Sequence, residues 1–114
     1  MRNTRPISWI KAARKDFKKF PNAVQGDMLS ALTIAAEGSK ADTAKPFKGV
    51  DGSVFEIALR YRGDAFRTIY AVKVGADIWV IHAFQKKSKA GIKTPRMHVD
   101  LIHDRLKRLK EALK

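Results

Sequence analysis

Residues 53–89 hold three strand-like runs in series, and this stretch limits the possible folds more than any other part of the chain. The runs are Ser53 to Arg62, Ala65 to Val74 and Asp77 to Lys87. Between them, Gly63-Asp64 and Gly75-Ala76-Asp77 have the length and chemistry of tight hairpin turns. A three-stranded antiparallel meander is therefore expected. Side chains alternate across a strand, so Phe55, Ile57, Leu59 and Tyr61 share one face while Glu56, Ala58, Arg60 and Arg62 share the other. The apolar face must be covered by helices. The charged face calls for a different purpose.

The segments on either side supply the cover. Arg5 to Ile10 is short, β-favouring and punctuated by Pro6, which suits an edge strand. Ile10, Ala13, Phe17 and Phe20 then recur at helical spacing, and Pro21 ends that helix and opens another. The second helix shows Val24, Met28, Leu32 and Ala35 on one stripe and stops at Gly38. Lys40 to Gly52 has no periodicity and reads as loop, pinned to the core by Phe47 and Val50. Ser88 to Lys93 reads as a second, basic loop. Thr94 and Pro95 form a helix start, with Thr94 as N-cap, and Val99, Ile102, Leu106, Leu109 and Leu113 make the seam of a last helix. The expected class is α+β in one domain over residues 1–114: an N-terminal strand and helical hairpin packed on an antiparallel meander sheet, followed by a C-terminal helix.

Charge narrows the function. The net charge is +13, and it is unevenly placed: +6 over residues 1–20, 0 over residues 21–84 and +7 over residues 85–114. Such a surface attracts polyanions by counterion release, so nucleic acid is the first expected partner. An acidic protein and an anionic membrane come after it, and a solvated basic surface without a partner is the bland alternative. With no cysteine in the chain, disulfides and thiolate metal sites are excluded. No apolar run approaches the ~20 residues of a membrane span, and the Met1-Arg-Asn-Thr-Arg5 start lacks a signal-peptide core. A cytoplasmic protein is expected.

The chemical menu is short. Three histidines without ligand spacing make a metal site unexpected, and the glycines read as turn residues rather than a phosphate loop. A cluster of charges on neighbouring strands remains. Glu56 and Arg60 share a face, Gly63-Asp64 would bring Arg67 beside Arg60, and Lys86 and Lys87 end the third strand. Glu56, Arg60, Arg67 and Lys86 are thus expected around one cleft, where cations can hold a phosphodiester and neutralise charge growing on its oxygens. Each taken alone reads as easily as an exposed ion-pair residue. His82 reads first as a half-buried structural histidine and second as an acid or base, which would need an accessible ring. Trp9, Trp79, Tyr61 and Tyr70 read as core or edge aromatics before base-stacking platforms.

The runs Phe55-Glu-Ile-Ala-Leu-Arg60, Phe66-Arg-Thr-Ile-Tyr70 and Val80-Ile-His-Ala-Phe-Gln-Lys-Lys-Ser88, followed by Thr94-Pro95, resemble the RelE/ParE toxin superfamily and within it the phage-derived, HigB-like arm. The likeness extends to Ile7-Ser-Trp9, the helix pair around Pro21 and Lys45-Pro-Phe-Lys-Gly49. It implies a type II toxin with a microbial-ribonuclease-like fold that needs no cofactor or metal. Such a toxin would cleave mRNA, usually on the ribosome, by attack of a ribose 2′-hydroxyl on the adjacent phosphate. By position, Arg67 matches the arginine on the scissile phosphate, Lys86 the basic residue in the acid's place, and Arg60 a first-strand basic position. Glu56 and Ala58 stand where RelE-type enzymes have lysines, and no tyrosine opens the last helix. Glu56 is then the candidate base, with His98 as the alternative stand-in for the tyrosine and His82 as a further acid or base. RNA contacts are expected from Lys87, Lys89, Lys93, Arg62, Lys11, Lys15 and Lys18. The implied partners are a cognate antitoxin, acidic or of helix-turn-helix type, together with mRNA and the ribosome. ParE-type relatives share the fold and inhibit DNA gyrase without cleaving RNA, which is the alternative function. A non-toxic, basic nucleic-acid-binding domain of phage origin is the other.

Overall fold

The computed structural model describes residues 4–50, 53–86 and 94–113. In chain order the elements are β1 (Ile7–Trp9), α1 (Lys11–Phe17), α2 (Asn22–Ala36), β2 (Ala44–Pro46), β3 (Val54–Tyr61), β4 (Asp64–Val74), β5 (Asp77–Lys86) and α3 (Arg96–Ala112). The strands form one sheet in the order β1-β5-β4-β3-β2. The meander β3-β4-β5 is antiparallel as expected, but β1 joins β5 in parallel, so the sheet is mixed.

Two details depart from the sequence reading. β2 falls inside the segment read as loop: its three residues include a proline and are too few to show alternation, yet they pair with β3. The first hairpin turns at Arg62-Gly63 rather than Gly63-Asp64, because Arg62 itself takes a left-handed φ of 51° ahead of Gly63 at 87°. Two successive residues with positive φ are what a two-residue hairpin of matching twist requires. Tyr61 therefore pairs with Asp64, and Arg67 pairs with Ala58 instead of Arg60.

The sheet is covered on both faces. On one, α1 and α2 bury Ala13, Phe17, Val24, Met28 and Leu32 against Ile57, Tyr70, Ile78 and Val80. On the other, α3 buries Ile102, Leu106 and Leu109 against Val54, Ile69, Ala71 and Ile81. Burial of each Ile or Leu of α3 contributes roughly 1.5–3 kcal/mol, so the helix is seated by its apolar seam. That seam covers one end of the face, and the helix's N-terminal turn reaches the charged end. Among the described residues no helix is long and apolar enough to cross a membrane.

Candidate functional site

Strand register places nine residues of the α3 face in three rows. Glu56, Ile69 and His82 form the first, Ala58, Arg67 and Phe84 the second, and Arg60, Ala65 and Lys86 the third. Arg67 is flanked by the small Ala58 and sits at the centre of this lattice. Its Nη1 donates to the Glu56 Oε2 at 3.0 Å, with side chains only 10% and 5% exposed. The Thr94 hydroxyl accepts from Arg67 Nη1 at 3.3 Å and donates to Glu56 Oε2 at 3.2 Å. Thr94 was expected to cap α3. Instead Pro95 occupies the cap position with no side-chain cap bond, and the Thr94 hydroxyl serves the ion pair.

Lys86 is buried at the outer row. Its ammonium is held below the usual lysine range, first by burial and then by the Arg67 charge, against the opposing pull of Glu56. A pocket of about 580 Å³ opens over this corner, and Lys45, Lys48, Phe47, Glu56, Arg67 and Thr94 line it. Lys45 is the direct cross-strand partner of Glu56. Neither Lys45 nor Lys48 was marked as a site residue from sequence. The hidden β2 is what turns Lys45 toward Glu56, and so the signal was not visible without the strand.

Arg60 lies on the expected face but is exposed, one row beyond Arg67 and opposite Ala65. The expected Arg60–Arg67 juxtaposition is replaced by a diagonal one, a direct result of the shifted turn. Lys11 and Lys15 of α1 and Lys18 just after it are exposed, and α1 packs against the other face of the sheet. Arg62 is exposed at the hairpin, its guanidinium 5.2 Å from the Tyr61 ring centroid. Lys87, Lys89 and Lys93 lie outside the described residues.

His82 is 2% exposed, so its ring does not meet the accessibility an acid or base requires. Arg105 Nη1 lies 2.9 Å from His82 Nδ1 and 3.1 Å from the Ile81 carbonyl oxygen. His82 Nε2 lies 2.8 Å from His98 Nδ1. Burial first, then the Arg105 charge and then His98, push the His82 pKa down to about 4. Burial also lowers the His98 pKa, and Asp16 opposes that shift. The His98 ring stacks on Phe84 with centroids 4.0 Å apart and planes at 12°, next to Arg67's own row. Arg105 drew no attention in the sequence, where it reads as one more surface cation of a basic helix. Among the described residues, no group of three or more potential ligands gathers around a metal position.

A family model described as phage derived protein Gp49-like (DUF891) matches residues 15–107. The chain belongs to that family. The Gp49-like protein also has the fold of the Escherichia coli toxin RelE, solved free as a double arginine-to-alanine mutant. The TM-score is 0.62 at 18% identity, over 92% of this chain and 97% of that one. The toxin–antitoxin complex RelBE2 from Mycobacterium tuberculosis is more distant, with a TM-score of 0.49 at 15% identity over 75% and 93% of the two chains. No curated protein matches the sequence. The phage-derived family and the RelE-like fold expected from sequence are thus both found.

Proposed function

We propose that this Gp49-like protein is the toxin of a type II toxin–antitoxin pair, acting as an endoribonuclease on mRNA at the ribosome. The observation that carries this reading is the Arg67-centred lattice: a buried arginine and a buried lysine share one face with a carboxylate, beside a pocket edged by Lys45 and Lys48. A phosphodiester entering this corner would take Arg67 as its fork and compete with Glu56 for it. The carboxylate so released would accept the 2′-hydroxyl proton. The 2′-oxygen then bonds to phosphorus and the bond to the 5′-oxygen breaks. Lys86, whose lowered pKa makes it a better acid than an ordinary lysine, supplies the proton to that oxygen. Arg67 balances the charge on the non-bridging oxygens. An antitoxin with an acidic segment would cover the same face, in the cytoplasm. The basic α1 and α3 surfaces would hold ribosomal RNA.

Induction without an antitoxin should stop growth, and primer extension should show new mRNA 5′ ends within minutes. Arg67→Ala and Lys86→Ala should each abolish both effects. Wild-type toxicity from both variants would sink the assignment.

One feature favours a second reading. Ala58 beside Arg67 offers no side-chain chemistry, as in a gyrase-binding relative that has lost cleavage. Intact mRNA with inhibited supercoiling would establish that alternative.

A further inference from the structure

The hydrogen bonds around His82 fix proton positions that no single contact reveals. A guanidinium carries five N–H donors and no acceptor. At 2.9 Å from Arg105 Nη1, the His82 Nδ1 must therefore be the acceptor and bear no proton. A doubly protonated His82 would set two donors head to head. Neutral His82 keeps its proton on Nε2, and that N–H donates to His98 Nδ1 at 2.8 Å. The His98 Nδ1 is in turn an acceptor, which leaves the proton of His98 on Nε2.

His98 is only partly buried, and it borders a cavity of about 240 Å³ together with Asp16, Lys19, Phe20, Phe84 and Gln85. Asp16 of α1 and Lys19 in the turn after it are the charged groups that face it there. Stacking on Phe84, the rung partner of Arg67, holds the plane of the ring beside the lattice.

We propose that Arg105 is a positioning residue which, acting through His82, locks His98 as a neutral Nε2–H donor to an oxygen of the bound RNA strand. This rests on the ribonuclease reading above and alters it in one respect. His98 presents no lone pair with which to take a proton and no positive charge to surrender as an acid. It stands as a fixed hydrogen-bond donor, a role that neutral imidazoles fill at other oxyanion sites.

The test is long-range ¹H–¹⁵N NMR of the imidazoles in the wild-type protein near pH 7, with mRNA cleavage measured in parallel. Both rings should show an unprotonated Nδ1 and a protonated Nε2. A His98 that is cationic, protonated at Nδ1 or a mixture of tautomers overturns the proposal. Arg105→Met should release His98 into mixed tautomers and lower cleavage about tenfold, the loss expected for one good hydrogen bond. Arg105→Lys, whose ammonium can also only donate, should restore both. His98→Gln keeps a donor but cannot shuttle a proton, so it should cleave within about threefold of wild type, while His98→Phe loses about tenfold. A His98→Gln variant as inactive as His98→Phe would mean proton transfer and overturn the assignment. If the wild type leaves mRNA uncut, the ribonuclease reading fails while the tautomers still stand or fall by NMR.

Discussion

The Arg67 guanidinium donates to the Glu56 carboxylate at 3.0 Å from a neighbouring strand, and the Thr94 hydroxyl is hydrogen-bonded to both. An ion pair this buried owes little to net Coulomb gain, because the desolvation of both charges offsets it. Breaking it from one side is another matter. Arg67→Met should cost about 3 kcal/mol in urea unfolding, since it strands a carboxylate in a buried setting. The double variant with Glu56→Gln should recover much of that loss. Thr94→Val should cost about 1 kcal/mol in the wild type and close to nothing in the double variant. Equal losses in both backgrounds would show that the hydroxyl acts outside this pair.

Acid should weaken the fold through His82. Its folded pKa of about 4 lies below the ordinary 6.5 of an unfolded chain. Between those values the unfolded state binds more protons, so stability falls as the pH falls through that window. The full loss by pH 4 is on the order of 3 kcal/mol. His98, shifted in the same direction, adds to it. Urea midpoints from pH 7 to pH 4 should show this slope, and His82→Phe should flatten most of it. An unchanged slope in that variant would place the titration elsewhere.

The hairpin turn sets conformation against binding. Arg62 holds φ at 51°, which costs a side-chain-bearing residue energy that glycine does not spend. Arg62→Gly should raise stability by about 0.5–1 kcal/mol, read from thermal melts. If Arg62 is retained for contact with RNA, the same variant should bind RNA more weakly. A stabilised variant with undiminished RNA affinity would remove Arg62 from the interface.

Salt should report on α1. Replacing Lys11, Lys15 and Lys18 together by Gln should reduce the slope of log affinity against log salt by about 2 for single-stranded RNA, if all three meet phosphates. Growth arrest should then weaken without any change in the sites of mRNA cleavage. An unaltered slope would assign these lysines to solvent.

The meander was readable because β3 alternates strictly, with Phe55, Ile57 and Leu59 on one side and Glu56 and Arg60 on the other. That parity survived a two-residue shift of register, since a shift by an even number keeps every side chain on its face. The identity of Arg67's neighbour did not survive it, because the turn depended on Arg62 adopting a conformation usually left to glycine. β2 was hidden for a different reason. Three residues ending in Pro46 have no period to detect, and only pairing with β3 makes them a strand. The Thr94 cap did not form and Arg105 carries no sequence signal, because local rules describe what a residue does for its own helix. Here both are used by side chains of distant strands.

The parallel seam between β1 and β5 has a consequence for biogenesis. Arg5 grips the carbonyl oxygens of Val72, Ala76 and Asp77, up to 72 positions downstream, beside the Ile7–Ile78 register. Closing so long a loop is slow compared with zipping a hairpin, so the nascent chain must emit nearly the whole meander before its first strand can dock. Thr94, His98 and Arg105 arrive later still. A polypeptide leaving the ribosome therefore passes through most of its synthesis before the corner around Arg67 is complete, and that corner waits until the last helix folds down.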